Sequence, residues 1–311
     1  MRAFIFPGQG SQAIGMGAAL AAASTVARAV FEEVDEALGQ HLFRLMAEGP
    51  TDELTLTQNA QPAIMANAIA VLRVMEQEGG TRLAETVAFV AGHSLGEYSA
   101  LCAADAIDLS TTARLLRLRG EAMQAAVPVG KGAMAALLGA DFALAEAICA
   151  DAAQGQVCAA ANDNGGGQVV ISGAKDAVDR AMVLAKERGV KRAVPLPVSA
   201  PFHCALMQPA ADVMADALAQ AAIRPPLVPL YANVTAAPVA DPPAIRNLLV
   251  AQVTGTVRWR ESVEAMAQAG VSHFVEFGAK VLAPMVKRIV PDATTISVVA
   301  MDDIEAVAAS L

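Results

Sequence analysis

Short apolar runs alternate along this chain with longer amphipathic segments, and that alternation limits the folds open to it. Runs typical of buried strands occupy residues 3–6, 86–91, 227–231, 273–277 and 294–299. Segments with helical periodicity lie between them, at residues 62–77, 109–126, 205–220 and 259–269. Strands separated by helices of this length form parallel βαβ units. The pattern therefore predicts an α/β fold, in which helices cover both faces of a mostly parallel sheet.

Residues 131–198 depart from this alternation. The pattern there predicts a strand, a helix, two strands, a helix and a strand, at residues 133–138, 142–153, 156–161, 168–172, 175–188 and 192–198. Residues 162–167, NDNGGG, supply strong turn chemistry between the two middle strands. The order β-α-β-β-α-β is typical of a ferredoxin-like unit. We therefore expect residues 131–198 to form a small domain inserted into a discontinuous core of residues 1–130 and 199–311, with a cleft between them.

The charge of the chain argues against nucleic acid as its main partner. The 311 residues include 31 acidic and 22 basic side chains, which give a formal net charge of −9. Proteins that bind phosphate backbones need a basic surface instead. With 55% hydrophobic and only 17% charged residues, the chain is also not disordered. Its length predicts roughly two domains, at about 150 residues each.

Mean hydropathy is high, at +0.44, yet the sequence does not predict a membrane protein. A spanning helix needs about 20 consecutive apolar residues, and the richest stretch, residues 133–150, contains Asp141 and Glu146. The first apolar run turns at Pro7-Gly8, too soon for a signal peptide. The four cysteines, Cys102, Cys149, Cys158 and Cys204, form no C-x-x-C pair, which is typical of reduced thiols. We expect a cytoplasmic protein with no membrane partner.

Ser94 is the candidate nucleophile. Residues 92–96, GHSLG, fit G-x-S-x-G, and they lie between a predicted strand and a helical stretch. This is the setting of a nucleophile elbow, in which a tight turn exposes the serine hydroxyl. The turn would also place the Leu95 backbone N–H at a helix N-terminus, where an oxyanion develops. The alternative is a serine that only caps the helix.

Four histidines are candidates for the base that a serine nucleophile needs: His41, His93, His203 and His273. His93 adjoins Ser94, so its side chain should point away from the hydroxyl. His203 follows a predicted strand and precedes a helix, and catalytic groups collect in such loops of open α/β sheets. The alternative is that His203 only satisfies local backbone groups. Because no aspartate between Ser94 and His203 lies at an obvious strand end of the main sheet, a carbonyl or an amide is the candidate that orients the histidine.

Arg119 lies in the middle of the apolar face of the helix predicted at residues 109–126. A guanidinium is almost never buried without an anionic partner. One explanation is an internal ion pair with an aspartate or glutamate. The other is a substrate carboxylate, bound by the bidentate geometry that arginine offers. The second explanation implies an acyl donor with a free carboxylate at its far end.

The loop at residues 7–12, PGQGSQ, follows the first strand. Its glycines do not form G-x-G-x-x-G, and no Walker lysine follows, so nucleotide binding is not indicated. A tight loop that lends a backbone N–H to the active site fits the pattern better. The alternative is an ordinary strand-to-helix turn.

Together these residues resemble the bacterial malonyl-CoA:acyl-carrier-protein transacylases of fatty-acid synthesis. The resemblance covers essentially the whole chain. It is carried by residues 6–12 (FPGQGSQ), 92–100 (GHSLGEYSA), 119–120 (RG), 166–170 (GGQVV), 195–199 (PLPVS) and 201–204 (PFHC). These motifs are long and occur in the same order, so the resemblance is highly specific.

The resemblance implies a role for each candidate residue. Ser94 would be the nucleophile and His203 its base, and Arg119 would bind the malonyl carboxylate. The backbone N–H groups of Gln9 and Leu95 would form the oxyanion hole, and the backbone carbonyl of Gln252 would orient the histidine. The implied fold is a hydrolase-like α/β core with a ferredoxin-like insertion. The implied reaction carries malonyl from malonyl-CoA to the phosphopantetheine thiol of acyl carrier protein through a malonyl-serine, with no metal or other cofactor.

One turn departs from the family pattern. The family usually carries Gly-Pro-Gly-Lys after the strand predicted at residues 273–277, whereas this chain has Gly278-Ala279-Lys280, one residue fewer. An acidic carrier protein would also need a local basic surface on this acidic chain. Two clusters are candidates for it, one of Lys186, Arg188, Lys191 and Arg192 and the other of Lys280, Lys287 and Arg288.

Two other functions are compatible with the same elbow. A serine esterase or thioesterase would use water as the acyl acceptor, although Arg119 on an apolar face is unusual for a simple lipase. A non-catalytic acyl-CoA-binding subunit would keep the pocket without needing Ser94 and His203 together.

Overall fold

The computed structural model of the chain describes residues 1–198 and 200–308. Ser199, the first residue of the predicted second core segment, lies outside the described residues. Within these described residues, ten strands form two sheets: β1 (Arg2–Phe6), β2 (Phe89–Gly92), β3 (Gly132–Leu138), β4 (Cys158–Asp163), β5 (Gln168–Ala174), β6 (Arg192–Pro195), β7 (Leu230–Ala232), β8 (Ala237–Val239), β9 (His273–Phe277) and β10 (Thr294–Val298).

The larger sheet has six strands in the order β10-β9-β1-β2-β7-β8. The first five run parallel, and β8 pairs antiparallel with β7 at one edge. β1 therefore lies in the middle of the sheet, next to the strand that leads into the predicted elbow. The prediction of a mostly parallel sheet is confirmed, although β8 was not predicted.

In the part of the chain that the structure describes, fifteen α-helices accompany the strands: α1 (Ala18–Ala23), α2 (Thr25–Leu38), α3 (Leu42–Glu48), α4 (Thr51–Thr55), α5 (Thr57–Gln77), α6 (Leu83–Thr86), α7 (Gly96–Ala103), α8 (Leu109–Ala125), α9 (Phe142–Ala153), α10 (Lys175–Glu187), α11 (Gln208–Gln220), α12 (Pro242–Thr254), α13 (Trp259–Gln268), α14 (Leu282–Ile289) and α15 (Met301–Ala308). None of the helices within the described part of the chain is both long and apolar enough to cross a membrane.

Helices lie on both faces of the six-stranded sheet. Two separate apolar clusters fill the spaces between the sheet and these helices, one around Phe4 and Phe6 and the other around Ala3 and Ile5. Successive side chains of β1 thus enter opposite cores, as the period of a strand requires. α5 is buried along almost its whole length, which explains why its sequence is apolar on nearly every side.

The second sheet has four strands in the order β4-β5-β3-β6, all antiparallel, and it carries α9 and α10. Its apolar cluster, around Leu137, Ile148 and Ile171, is separate from those of the larger sheet. The chain order is β-α-β-β-α-β, so the predicted ferredoxin-like arrangement is confirmed.

Several predicted boundaries of strands and helices were wrong. The strand predicted at residues 86–91 begins only at Phe89, because the Thr86 hydroxyl closes a helical turn on the carbonyl of Arg82. The strand predicted at residues 192–198 ends at Pro195, since proline removes ladder donors. The helix predicted at residues 205–220 starts as a 3₁₀ turn at Ala205–Met207.

Polar contacts join the two sheets beside the elbow. The Asp163 N–H donates to the carbonyl of Val257 across 2.9 Å, and the Asp163 carboxylate pairs with Arg260. His93, next to Ser94, contacts Asn164 through Nε2 at 2.8 Å. The turn between β4 and β5 is therefore held against the strand ends of the larger sheet.

Candidate active site

Ser94 occupies a strained turn between β2 and α7. Its backbone has a φ of 53°, a left-handed conformation that serine rarely adopts. Glycines on both sides are required by space: a Cβ on Gly92 would lie 1.9 Å from the carbonyl of Gly96, and one on Gly96 would lie 2.2 Å from the Phe6 oxygen. The G-x-S-x-G pattern thus reflects close backbone approach on both sides of the serine.

His203 lies in the loop before α11, also with a positive φ, of 57°. Its Nε2 is 2.7 Å from Ser94 Oγ, and its Nδ1 is 2.9 Å from the backbone carbonyl of Gln252. A carbonyl only accepts, so Nδ1 carries the proton and Nε2 is free to accept from the serine hydroxyl. Burial, and next the charge of Arg119, lowers the pKa of His203 to about 3. The imidazole is therefore neutral at neutral pH, as a general base must be.

Arg119 reaches the same point from α8. Its Nη2 donates to Ser94 Oγ at 3.1 Å and to Gln252 Oε1 at 2.9 Å, and its Nη1 donates to Gln61 Oε1 at 2.8 Å. The side chain is only 1% exposed, yet it forms no ion pair with a carboxylate in the described part of the chain. The internal ion pair that the sequence left open is thus not found, and a buried cation beside the nucleophile has only neutral oxygens as acceptors.

These side chains open into one cavity of about 330 Å³. Its walls come from both sheets and include Gly8, Gln9, Gln61, His93, Ser94, Leu95, Arg119, Met123, Met134, Asn162, Asn164, Gln168, Phe202, His203, Val281 and Met285. The backbone N–H groups of Gln9 and Leu95 have no hydrogen-bond acceptor among residues 1–198 and 200–308. Two free donors therefore belong to the lining of the cavity that holds the serine hydroxyl.

The other three histidines lie away from the hydroxyl. His93 turns toward Asn164 and Trp259, as its position next to Ser94 predicts. His41 is exposed at the start of α3, and His273 is exposed at the start of β9. Of the four candidates, only His203 contacts Ser94.

Sequence reasoning missed the Gln252 side chain and Glu97, which are both buried under the elbow. Gln252 Oε1 accepts from Arg119, while its Nε2 donates to the Ser94 carbonyl at 2.9 Å and to Glu97. One signal was available: Glu97 is the only charged residue of α7, whose other residues are apolar or small and neutral. Such a carboxylate needs buried partners.

The short turn at residues 278–280 packs against α5. The Gly278 carbonyl accepts from Asn67 at 2.9 Å, and a Cβ on Gly278 would lie 2.9 Å from Ala68 Cα. The Glu276 carboxylate then receives the first backbone N–H groups of α14, which presents Met285 to the cavity. The turn therefore lies outside the cavity lining and leads into α14, whose Met285 is part of that lining. Across the described ranges, no group of three or more His, Cys, Asp or Glu side chains is placed to hold a metal ion.

Known proteins share both the sequence and this architecture. The model of the acyl transferase domain family matches residues 3–300. The malonyl CoA-acyl carrier protein transacylase of Escherichia coli (strain K12) is 47% identical over 310 residues, covering 99% of this chain and 98% of that protein.

Solved structures agree with that match. An acyl-carrier-protein-S-malonyltransferase from Bartonella henselae superposes with a TM-score of 0.97 at 55% identity, covering 99% of this chain and 98% of the other. A malonyl-transacylase in complex with its type II PKS acyl-carrier protein superposes with a TM-score of 0.96 at 42% identity, covering 100% and 99%. This chain therefore belongs to the acyl transferase domain family and, within it, to the malonyl-CoA:acyl carrier protein transacylases.

Proposed function

We propose that this protein transfers the malonyl group from malonyl-CoA to the phosphopantetheine thiol of acyl carrier protein, as a step that feeds fatty-acid synthesis. The observation that carries the proposal is the meeting of three groups at one hydroxyl. Ser94 Oγ lies 2.7 Å from the neutral His203 Nε2 and 3.1 Å from the Arg119 guanidinium. A nucleophile, its base and a cation that forms no direct ion pair with a carboxylate of the described residues suit an acyl donor that carries its own negative charge.

The distance between cation and nucleophile also selects the length of the acyl group. In a malonyl thioester, a single methylene separates the free carboxylate from the carbonyl that reacts. The two ends of the substrate must therefore meet protein groups that lie side by side, as Arg119 and Ser94 do. A monocarboxylic acyl group would leave Arg119 unpaired, and a longer diacid would not bring its carbonyl to Ser94.

The first half-reaction follows from these contacts. The carboxylate binds Arg119 and the thioester carbonyl faces the N–H groups of Gln9 and Leu95. His203 Nε2 takes the Ser94 proton as Oγ attacks the carbonyl carbon. The two N–H groups stabilise the oxyanion, and the Gln252 carbonyl stabilises the imidazolium through Nδ1–H. The C–S bond then breaks, and the coenzyme A thiolate receives the proton from His203, which leaves a malonyl-serine.

The second half-reaction reverses this geometry. The phosphopantetheine thiol gives its proton to His203, and the thiolate attacks the ester carbonyl. The bond between the acyl carbon and Ser94 Oγ breaks, and Oγ recovers the proton. Both halves pass through one covalent intermediate, so we expect ping-pong kinetics.

The carrier docking surface belongs to this proposal. Lys191 packs on Gly139, and the N–H of Gly139 donates to the Gly167 carbonyl at 2.7 Å. Arg288 packs on Gly166 and lies 3.5 Å from Gln168, which lines the cavity. The two basic clusters therefore approach each other across one glycine turn at the cavity wall. We assign the carrier to this surface, centred on Lys191 and Arg288.

Arg188 contributes less to such a surface. Its guanidinium is already paired with Asp151, so part of its charge is neutralised within the protein. Lys280 is exposed and precedes Val281, which lines the cavity. Within the two basic clusters, the residues next to the cavity are thus the better candidates for contacts with the carrier.

The expected domain division and location are also part of the proposal. A domain of residues 131–198 inserted between 1–130 and 199–311 is supported by the separate apolar cluster of the four-stranded sheet. The cytoplasmic location remains the expectation drawn from the sequence.

The deciding experiment supplies malonyl-CoA with and without acyl carrier protein. We expect malonyl-carrier to accumulate, and intact mass to show a malonyl adduct that is lost in Ser94→Ala. Release of free malonate at the same rate without carrier would indicate a thioesterase instead. Binding of malonyl-CoA with no adduct on the wild-type protein would indicate a non-catalytic acyl-CoA-binding subunit.

A further inference from the structure

The Gln252 side chain joins the groups assigned to catalysis. Its Oε1 accepts from Arg119 Nη2 at 2.9 Å, and its Nε2 donates to the Ser94 carbonyl at 2.9 Å. Its backbone carbonyl receives His203 Nδ1. One wholly buried residue therefore contacts nucleophile, base and cation. The direction in which its amide faces decides whether Arg119 meets an acceptor or a donor.

In its ionised form, Glu97 fixes that direction. Its carboxylate is only 1% exposed, and Oε2 accepts from Gln252 Nε2. An ionised carboxylate has no hydrogen to donate, so it can face only the nitrogen of the amide. The Gln252 oxygen must then face Arg119. If the amide were reversed, an NH₂ group would face the guanidinium and an oxygen would face the carboxylate, and both contacts would be lost.

The other oxygen of Glu97 holds a second amide at the elbow. Oε1 accepts from the Asn233 backbone N–H at 2.9 Å. The Asn233 side chain then accepts from the Ser94 N–H at 2.8 Å and donates to the Gly92 carbonyl at 2.7 Å. Both backbone polar groups of Ser94 are thus bound by residues that contact Glu97. A serine in a left-handed conformation needs such fixed neighbours to stay there.

We propose that Glu97 is a positioning residue for malonyl transfer, whose two carboxylate oxygens orient Gln252 and Asn233 so that Arg119 and Ser94 keep the geometry that a malonyl group needs. This inference rests on the proposed function. Glu97 does not touch the substrate and acts through these two amides. Its effect is larger for acyl donors that bind Arg119 than for donors that do not.

The charges around Glu97 give the proposal a signature in pH. The charged or titratable groups that face it are Arg119 from α8 and Tyr98 from its own helix. Burial raises the pKa of Glu97 to about 8. The Asn233 N–H, Gln252 and Arg119 lower this pKa, but their effect is smaller than that of burial. Burial also raises the pKa of Tyr98 to about 12, and the pKa of His203 is lowered to about 3. Between pH 7 and 9, Glu97 is thus the group among these four that changes its charge.

A comparison of two acyl donors isolates this ionisation. The ratio of kcat/KM for malonyl-CoA to kcat/KM for acetyl-CoA cancels the titration of Ser94 and His203, because both donors use them. We expect the ratio for the wild-type protein to rise with pH, with its midpoint at about pH 8, and to level off near pH 9, as Glu97 ionises. A ratio that is constant or falls from pH 7 to 9 overturns the proposal.

The variant Glu97→Gln tests the same point at fixed pH. Glu97 accepts hydrogen bonds from the Asn233 N–H and from Gln252 Nε2, whereas the new amide has one oxygen and one NH₂ group and can accept only one of them. We therefore expect the ratio to fall about tenfold or more and to lose its pH dependence. Glu276→Gln is the matched control, since Glu276 is also a wholly buried carboxylate that accepts backbone N–H groups, but it contacts neither Gln252 nor Asn233. This control should unfold more easily and keep the wild-type ratio.

The outcomes separate the two proposals. A wild-type protein that transfers no malonyl group refutes the proposed function. A wild-type protein that transfers malonyl, while folded Glu97→Gln keeps its ratio, refutes the positioning role alone. If Glu97→Gln does not fold, the pH dependence of the wild-type ratio decides.

Discussion

Arg119 Nη2 lies 3.1 Å from Ser94 Oγ, so the buried cation and the nucleophile share one hydrogen bond before any substrate arrives. A malonyl carboxylate that binds Arg119 brings its own thioester carbonyl to the serine. We therefore expect Arg119→Ala to lower kcat/KM for malonyl-CoA by about a hundredfold or more, because a buried charge pair is lost. Acetyl-CoA carries no carboxylate, and its transfer should be unchanged or faster.

The matched control for this variant lies on the same helix. Arg114 is exposed on the outer face of α8, where it donates to Thr111 and interacts with Asp108, so Arg114→Ala should leave both donors unaffected. Initial rates with radiolabelled malonyl-CoA and acetyl-CoA measure both effects. An equal loss for the two donors in Arg119→Ala would rule out the carboxylate-binding role.

The neutral state of His203 makes stability depend on pH. Its pKa is about 3 in the folded protein and about 6.5 when it is solvated, so the unfolded chain binds the extra proton between these values. The free energy of unfolding should therefore decrease as pH falls from 6.5 toward 3, by up to about 1.4 kcal/mol per pH unit from this group. Above pH 6.5 the group contributes no further change.

Urea unfolding at pH 5, 6 and 7 measures this slope. His203→Asn is the comparison, because asparagine tolerates the positive φ and does not titrate in this range. The slope should be smaller in the variant. Identical slopes would mean that His203 is not held neutral in the folded protein.

The elbow tolerates no side chain at Gly96. A Cβ there would lie 2.2 Å from the backbone oxygen of Phe6, in the central strand, so backbone must move. We expect Gly96→Ala to lower the free energy of unfolding by about 1–3 kcal/mol and to reduce malonyl-serine formation. Ser99→Ala, in the same helix, should be close to neutral, because in the described structure its buried hydroxyl has no hydrogen-bond partner. Thermal unfolding and intact mass report the two effects.

Charge reversal tests the docking surface centred on Lys191 and Arg288. Arg288→Glu combined with Lys191→Glu should raise KM for acyl carrier protein about tenfold at low salt, and less at high salt, because screening weakens the attraction. Acylation of Ser94 by malonyl-pantetheine, a donor without phosphates, should not change. Lys186 is exposed near the end of α10, and Lys186→Glu should raise KM for the carrier less. If Lys186→Glu has the larger effect, the docking surface is centred nearer to Lys186 than to Lys191 and Arg288.

The fold and its α/β class could be predicted because local pattern decides them. Period and length distinguish the strands from the helices, and the order β-α-β-β-α-β appears directly in residues 131–198. Strand ends were harder to predict, because they depend on partners elsewhere. The Leu227 N–H, for example, donates to the Ala104 carbonyl in a loop and does not extend β7. β8 is three residues long and depends on pairing with β7.

Some residues of the candidate site could also be predicted from the sequence, and others could not. Ser94 and Arg119 stand out because each conflicts with its surroundings, one on a tight turn and the other on an apolar face. Gln252 gives no such signal, since an uncharged residue inside a helix fits any amphipathic pattern, and the resemblance supplied only its backbone carbonyl. Its side-chain role depends on residues up to 158 positions away in the sequence. Only tertiary structure brings such amides together.

The cavity has one wall from each sheet, and only one of these walls carries the nucleophile and its base. The hydroxyl, imidazole and guanidinium come from segments that flank the larger sheet, whereas Met134, Asn162, Gln168 and Val170 of the smaller sheet line the same cavity. Substitution of these four residues changes neither the proton-transfer groups nor the hydrogen bonds of Glu97 and Gln252. The four-stranded sheet is consequently the place to change the shape of the acyl pocket, while the proposed carboxylate contact of Arg119 stays with the proton-transfer groups.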